Sequence, residues 1–294
     1  MKTRLLIYTL IIIIILPLFS CRNKRRQPQE GRSSHSKVTP TQPETKTDTV
    51  YLIVPTPNIL PEPTTTSDGE NLIIIPSSKK LEPVVHNNNL PHPPVIDFIR
   101  PTNCHTRDEY IEHFNITGNM KDLIIACDYD TPTVRNNTAN LVHASPGNFN
   151  LGQICDIFDF CYINWSYVND PISREYFAKA SETLRNGLNG DCDDFAILLC
   201  SMILSIGGEA RINFAYDATS GHAFSEVNIG KTNKTQVQHY LSARYNDVQM
   251  WHRKDSEGNI WLNLDWQAAY PGGEYWKFTH GTSFNIIRNI YEYL

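Results

Sequence analysis

The sequence predicts an α+β domain, and three observations predict it. Segments with helical patterning come first, up to about residue 188. Cys192 to Ile206 then forms the most apolar helical run of the chain, closed by Gly207-Gly208. Strand-like segments follow, ending in a hairpin. Helices followed by strands, without regular alternation, place a chain in the α+β class rather than in a parallel α/β fold.

The elements follow in order. Thr106 can cap a helix through His113, with Asp108 and Glu109 in its first turn. Further helices are expected at 118–127, 150–163 and 175–188. Asn189-Gly190-Asp191 is a break, and the apolar helix carries Phe195, Ile197, Leu198, Leu199, Met202, Ile203 and Leu204. Ala210 to Tyr216 and His222 to Ile229 read as strands. Val248 to Arg253, the turn Ser256-Glu257-Gly258-Asn259, and Ile260 to Trp266 read as a hairpin.

Composition sets the limits of this domain. The chain has 294 residues, 40% of them hydrophobic and 19% charged, with a net charge of −5. Of its 18 prolines, 13 lie between residues 22 and 101, whereas all five tryptophans lie after residue 160. The core is therefore expected in the C-terminal two thirds. A mildly acidic chain lacks the basic face that nucleic-acid binding needs, so no nucleic-acid partner is expected. No repeat of solenoid length is present. Seven cysteines are too few for a disulfide scaffold.

The N-terminus reads as an address. Lys2 and Arg4 precede the apolar run Leu5 to Leu16, and Leu18-Phe19-Ser20-Cys21 follows. That tetrapeptide resembles a bacterial lipobox, which makes residues 1–20 a lipoprotein signal peptide and Cys21 the lipidated residue. Residues 21–94 are expected to form a disordered Pro/Thr-rich tether, too polar to bury a core. About 70 such residues have a root-mean-square reach of ~40–50 Å. The folded domain is expected over residues 95–294. The basic residues after Cys21 do not resemble an acidic surface-export tag, so the expected location is the periplasmic face of the outer membrane. The membrane is then a partner through the N-terminal lipid.

The chemistry centres on Cys192 in Gly190-Asp191-Cys192-Asp193-Asp194. A cysteine at a helix N-terminus meets free N–H groups and roughly half a positive charge, which lower a thiol pKa and offer an oxyanion donor. Asp193 and Asp194 read as first-turn charges that oppose the thiolate, so an imidazolium is needed beside it. His222 is the candidate, and alternation puts His222, Phe224 and Glu226 on one strand face. Glu226 reads as a solvated strand residue. Asp265 is a charge inside an apolar segment and needs a partner, such as an imidazole Nδ1–H. Cys192, His222 and Asp265 are also zinc-ligand types, but no C-x-x-C or H-x-x-x-H spacing accompanies them, so neither metal nor cofactor is expected.

Taken together, Gly190 to Leu199, Gly207 to Arg211, Gly221 to Val227 and Trp261 to Asp265 resemble the core of the transglutaminase-like superfamily. The order Cys, His, Asp and the helix-strand-strand placement carry the resemblance, and Trp165 to Pro171 is similar to the family's segment before the nucleophile helix. It covers roughly residues 150–270. Two departures are Phe224, where the family usually has tryptophan, and the insertion-like stretch 231–246, a candidate substrate rim or extra helix.

The resemblance implies a papain-like fold and a catalytic triad. Cys192 would attack an acyl carbon, His222 would move the proton, and Asp265 would orient His222. The Cys192 backbone N–H would be one oxyanion donor. Trp165 and Tyr167 are candidates for the second, with core packing as their other reading. The expected activity is cysteine-dependent acyl transfer, hydrolysis of amide or peptide bonds in a protein, peptide or cell-wall substrate. Transglutaminase or deamidase action on protein glutamine, and an inactive binding or assembly lipoprotein, are the alternatives. Gly272-Gly273 with Tyr270, Tyr275 and Trp276 suggests an ordered aromatic loop near the site. The pairing of the remaining cysteines is left open.

Overall fold

A computed structural model describes residues 90–98, 107, 111, 118–171, 175–231, 234–288 and 290–294. The signal peptide, Cys21, nearly all of the tether and most of the expected helix 106–113 lie outside the described residues. Among the described residues no helix is long and apolar enough to cross a membrane.

Chain order gives α1 (Asn119–Ala126), α2 (Pro132–Leu141), α3 (Leu151–Asn164), β1 (Ser166–Tyr167), α4 (Ala180–Arg185), β2 (Asn189–Gly190), α5 (Cys192–Ser205), β3 (Ala210–Tyr216) and β4 (Gly221–Asn228). There follow α6 (Lys234–Tyr245), β5 (His252–Lys254), β6 (Ile260–Asn263), a 3-10 turn (Trp266–Ala268), β7 (His280–Asn285) and β8 (Ile290–Tyr293). The helices are set by local chemistry. Thr131 caps α2, and Pro132, which lacks an N–H, occupies its first turn. Asn150 and Gln153 form a reciprocal capping box that starts α3.

The six-stranded sheet has the order β5-β6-β4-β3-β7-β8, with every neighbouring pair antiparallel. β1 and β2 form a separate parallel pair through Ser166↔Asn189 and Tyr167↔Gly190. The expected α+β class is therefore the observed one. α5 is the centre of the molecule, packed on β3 and β4 and also touching α2, α3 and α4. Cys192 through Leu204 are all buried. Each fully buried Leu, Ile, Phe or Met contributes ~1.5–3 kcal/mol by leaving water. This apolar investment makes the start of α5 a rigid place for a side chain.

The structure departs from the expected elements at several points, and at the insertion it adopts the extra-helix alternative. The segment expected as a helix over 175–188 is helical only at Ala180–Arg185. Before it, Tyr176 N donates to Asp170 and Ala178 N donates to Asp194, so side chains outside the segment hold these amides in an extended path. The strand expected over Ile260 to Trp266 ends at Asn263, and Asp265 caps the following 3-10 turn. The insertion 231–246 contains α6, whose Val237, Tyr240 and Leu241 are buried. Its Arg244 reaches Asp156 at 2.9 Å and Asp159 at 2.6 Å on α3.

Candidate active site

The site begins with the cap of α5. Asp191 accepts from the Asp193 amide at 3.3 Å, and Asp194 returns the bond to the Asp191 amide at 3.3 Å. Gly190 makes this possible: its φ is +154°, and a Cβ there would collide with the Asp194 side chain. Cys192 follows as the first residue of the helix and is 6% exposed.

The other cysteines differ in placement. Cys127, Cys155, Cys161 and Cys200 are fully buried, and all five described cysteines are free thiols. Burial pushes the Cys155 thiol up to about 12 and raises Cys161 as well. Cys200 is raised by its hydrogen bond with Cys127, with burial adding to the effect. Among the described cysteines, Cys192 alone stands at a helix N-terminus.

His222 is the second residue of β4, paired with Ala215 of β3. Its Nε2 meets Asp265 Oδ2 at 2.8 Å, and the Asp265 side chain is fully buried. The sequence reading gave Asp265 the Nδ1–H, and the structure corrects this. Asp265 lies beyond the end of β6, capping the 3-10 turn, and so meets the distal nitrogen of the ring. Asp265 Oδ1 accepts from Gln267 N at 3.0 Å, and the Asp265 amide donates to Asn263 Oδ1 at 3.1 Å, which fixes the carboxylate from both ends.

The loop between the 3-10 turn and β7 covers His222. The Trp276 ring stands 5.4 Å from the imidazole, and Phe224 stacks on the imidazole at 6.0 Å. The loop is pinned by Asn263 Nδ2, which donates to Gly273 O at 3.0 Å, and by Tyr275 OH, which donates to Glu226 at 2.5 Å. This is the aromatic loop expected from Tyr270, Tyr275 and Trp276.

Glu226 is the largest departure from the sequence reading. It is fully buried, not solvated. Its carboxylate accepts from Arg211 at 2.8 Å, from Arg253 at 2.7 and 2.9 Å, from Asn213 at 3.2 Å and from Tyr275. Burial alone would raise its pKa, but Arg211 and Arg253 overcome that and hold it below its ordinary value. The donors come from three separate stretches of chain, so spacing in sequence gave no sign of them. The alternation of β4 did place Glu226 on the face of His222.

Trp165 and Tyr167 both lie beside α5. Trp165 packs edge-on against Phe195 at 5.0 Å, and its buried Nε1 has no hydrogen-bond partner among the described residues. Tyr167 packs on Trp266 at 5.2 Å. Trp266, which the sequence reading did not single out, also has a buried Nε1 with no partner among the described residues.

The first turn of α5 is acidic. Asp191, Asp193 and Asp194 bring carboxylate oxygens within 4.8 Å of one another, and all three are buried. They are the described group whose donors could share a cation. Burial raises Asp194 to about 7 and carries Asp193 well above the usual carboxylate range, with Asp191 adding to both. Tyr216, paired with Gly221, is raised by burial and then by the charges of Glu175 and Cys192.

The model of the transglutaminase-like superfamily matches residues 141–266, the segment that contains Cys192, His222 and Asp265. A candidate cysteine protease from Cytophaga hutchinsonii has similar architecture, with 17% identity, a TM-score of 0.33 and 54% of this chain covered. The chain spans 45% of that protein's length. Calcium-bound LapG from Legionella pneumophila is similar at 18% identity and a TM-score of 0.36, over 60% of this chain and 83% of LapG. No curated protein matches the chain.

Proposed function

We propose that the protein is a cysteine-dependent acyl-transfer enzyme that hydrolyses amide or peptide bonds, held in the bacterial cell envelope by a lipid on Cys21. The observation that carries the catalytic reading is the buried 2.8 Å bond between His222 Nε2 and Asp265 Oδ2, on a sheet against which the Cys192 helix packs. A buried carboxylate at one ring nitrogen favours the imidazolium and fixes the ring.

In this reading His222 takes the Cys192 thiol proton at Nδ1. The thiolate adds to the substrate carbonyl, and the Cys192 backbone N–H at the start of α5 donates to the developing oxyanion. Trp165 and Tyr167 remain the proposed sources of a second donor. His222 then gives its proton to the leaving amine as the C–N bond breaks, which leaves a Cys192 thioester. Water, deprotonated by His222, attacks the thioester, and the returning proton restores the thiol. Asp265 holds its charge throughout and keeps Nε2–H directed away from the nucleophile.

The Cys21 anchor and the tether rest on the basic n-region, the apolar run and the lipobox-like tetrapeptide. The proposed location is the periplasmic face of the outer membrane. The substrate is then a protein, peptide or cell-wall amide within reach of the tether.

The test is incubation of the full chain with a proteome-derived peptide mixture and a tagged primary amine, beside Cys192→Ala. New peptide N-termini that depend on Cys192 support hydrolysis. Tag incorporation without new N-termini replaces hydrolysis by transamidation. Equal turnover in the folded Cys192→Ala variant ends the proposal.

A further inference from the structure

The loop between the 3-10 turn and β7 presents one large side chain to the site. The Trp276 ring centre stands 5.4 Å from that of His222, with the two planes at 59°. The His222 side chain is only 3% exposed, because Asp265 holds Nε2 and Phe224 stacks on the imidazole at 6.0 Å. Phe224 is itself buried, whereas Trp276 is partly exposed. Of these two rings, Trp276 is therefore the one that an arriving molecule can touch. Its place is fixed from both sides. Gly272 N donates to Asn263 O at 2.7 Å, and Asn263 Nδ2 donates to Gly273 O at 3.0 Å. Tyr275 OH donates to Glu226 at 2.5 Å, and Phe278 packs on Phe224 at 6.3 Å. A side chain held in this way loses little freedom on binding, so contact with it is converted into affinity.

Proton transfer decides which part of a substrate meets the indole. A general acid must come within about 2.6–3.2 Å of the atom that it protonates. His222 protonates the leaving amine, so the residue that carries this amine lies against the imidazole. Its side chain then falls within reach of Trp276. Charge decides which side chains fit. During the reaction His222 is an imidazolium, and the Arg253 guanidinium already sits over the same aromatic cluster, 5.7 Å from Phe224, 5.4 Å from Tyr275 and 5.9 Å from Phe278. A further cation at such distances is repelled. Glu274 and Lys277, both exposed on either side of Tyr275-Trp276, are opposite in sign and offset one another. An apolar or aromatic side chain meets no such penalty and gains by leaving water against the indole.

We infer that Trp276 is the specificity residue for the amine side of the scissile bond, forming a subsite for a large apolar or aromatic side chain on the residue that leaves with the proton of His222. The inference rests on the reading of His222 as the general acid. The subsite discriminates by contact with the indole, and Tyr275 and Gly273 serve it by holding the loop.

The test incubates the full chain with a proteome-derived peptide mixture and reads which residue supplies each new N-terminus. Aromatic and large aliphatic residues are expected about tenfold more often than glycine, the size of one side-chain contact, and lysine and arginine no more often than glycine. Trp276→Ala should bring the preference down to about twofold or less, with selectivity for the residue before the cleaved bond unchanged. Trp276→Phe should keep most of the preference. Tyr293→Ala, on the exposed edge strand β8, should keep all of it. No such preference in the wild type, or one that survives Trp276→Ala, overturns the subsite.

Failure of the catalytic reading looks different, because the wild type then yields no N-termini that depend on Cys192. In that event, or if Trp276→Ala yields none, binding decides the subsite alone. The indole N–H resonance of Trp276, identified by its loss in Trp276→Phe, is followed in Cys192→Ala as phenylalaninamide, lysinamide or glycinamide is added. These amines differ only in the side chain. Saturation at lower concentration with phenylalaninamide than with the other two keeps the subsite, and equal responses, or none, overturn it.

Discussion

Replacing Glu226 by glutamine tests how the site is supported. The side chain is fully buried and accepts hydrogen bonds from Arg211, Arg253, Asn213 and Tyr275. Glutamine keeps the shape, removes the charge and replaces one accepting oxygen by an NH₂ that faces donors. Removing one partner of a buried ion pair costs ~3–5 kcal/mol, because the other charge stays behind. Arg211 keeps Glu292 at 2.6 Å, and Arg253 keeps Asn213 Oδ1 at 3.0 Å and is 21% exposed, so the low end applies. The expected loss is therefore about 3 kcal/mol. At ~2–4 °C per kcal/mol for a domain of this size, Tm falls by roughly 6–12 °C. Urea unfolding of wild type and variant, fitted for midpoint and slope, measures it. The reaction of Cys192 with iodoacetamide, at a temperature where both proteins are folded, measures the effect on the site. A loss below about 1 kcal/mol, the value of a surface pair, would refute the claim that Glu226 anchors the site.

Three further outcomes are expected. Asp193 and Asp194 have folded pKa values above their unfolded ones, so the native state binds more protons; the stabilising contribution of Asp194 is lost as pH rises from about 4 to about 7. Asp194→Asn should reduce that fall by up to ~1.4 kcal/mol per pH unit, read from unfolding midpoints across this range; an unchanged slope contradicts it. Asp265→Asn should slow Cys192 alkylation at neutral pH at least ~100-fold with the fold retained by circular dichroism, since the imidazolium loses its carboxylate; an unchanged rate contradicts it. Tyr275→Phe should release the Trp276 loop and move the His222 ring-proton resonances, which the indole 5.4 Å away shifts by its ring current. Resonances that stay in place would show the Tyr275–Glu226 bond to be irrelevant to the imidazole.

The parts of this molecule written as local pattern were legible in the sequence. α5 is a continuous apolar run between a capping aspartate and Gly207-Gly208, and β3 and β4 sit within a residue of their expected bounds. Cys192 stood out by its place at the start of the apolar helix, His222 as an imidazole opening the strand that follows, and Asp265 as a charge inside an apolar segment. The illegible parts depend on partners distant in sequence. The helix expected at 175–188 was shortened by side-chain acceptors at Asp170 and Asp194. β7 joins the sheet by pairing with β3, some seventy residues upstream, and His280-Gly281-Thr282-Ser283 carries no strand alternation of its own. Glu226 read as solvated because Arg211, Arg253 and Tyr275 come to it from other elements. The ring nitrogen facing Asp265 depends on where β6 ends, which no spacing rule gives.

The most direct test of the central claim is the pH dependence of Cys192 alkylation in the full chain, with and without His222→Ala. The other described cysteines are buried, and mass spectrometry separates their labelling. The account predicts rapid reaction below pH ~7, from a thiolate held by an imidazolium, and loss of that reaction in His222→Ala. A Cys192 that titrates like a free thiol near ~8.5, indifferent to His222, would contradict it.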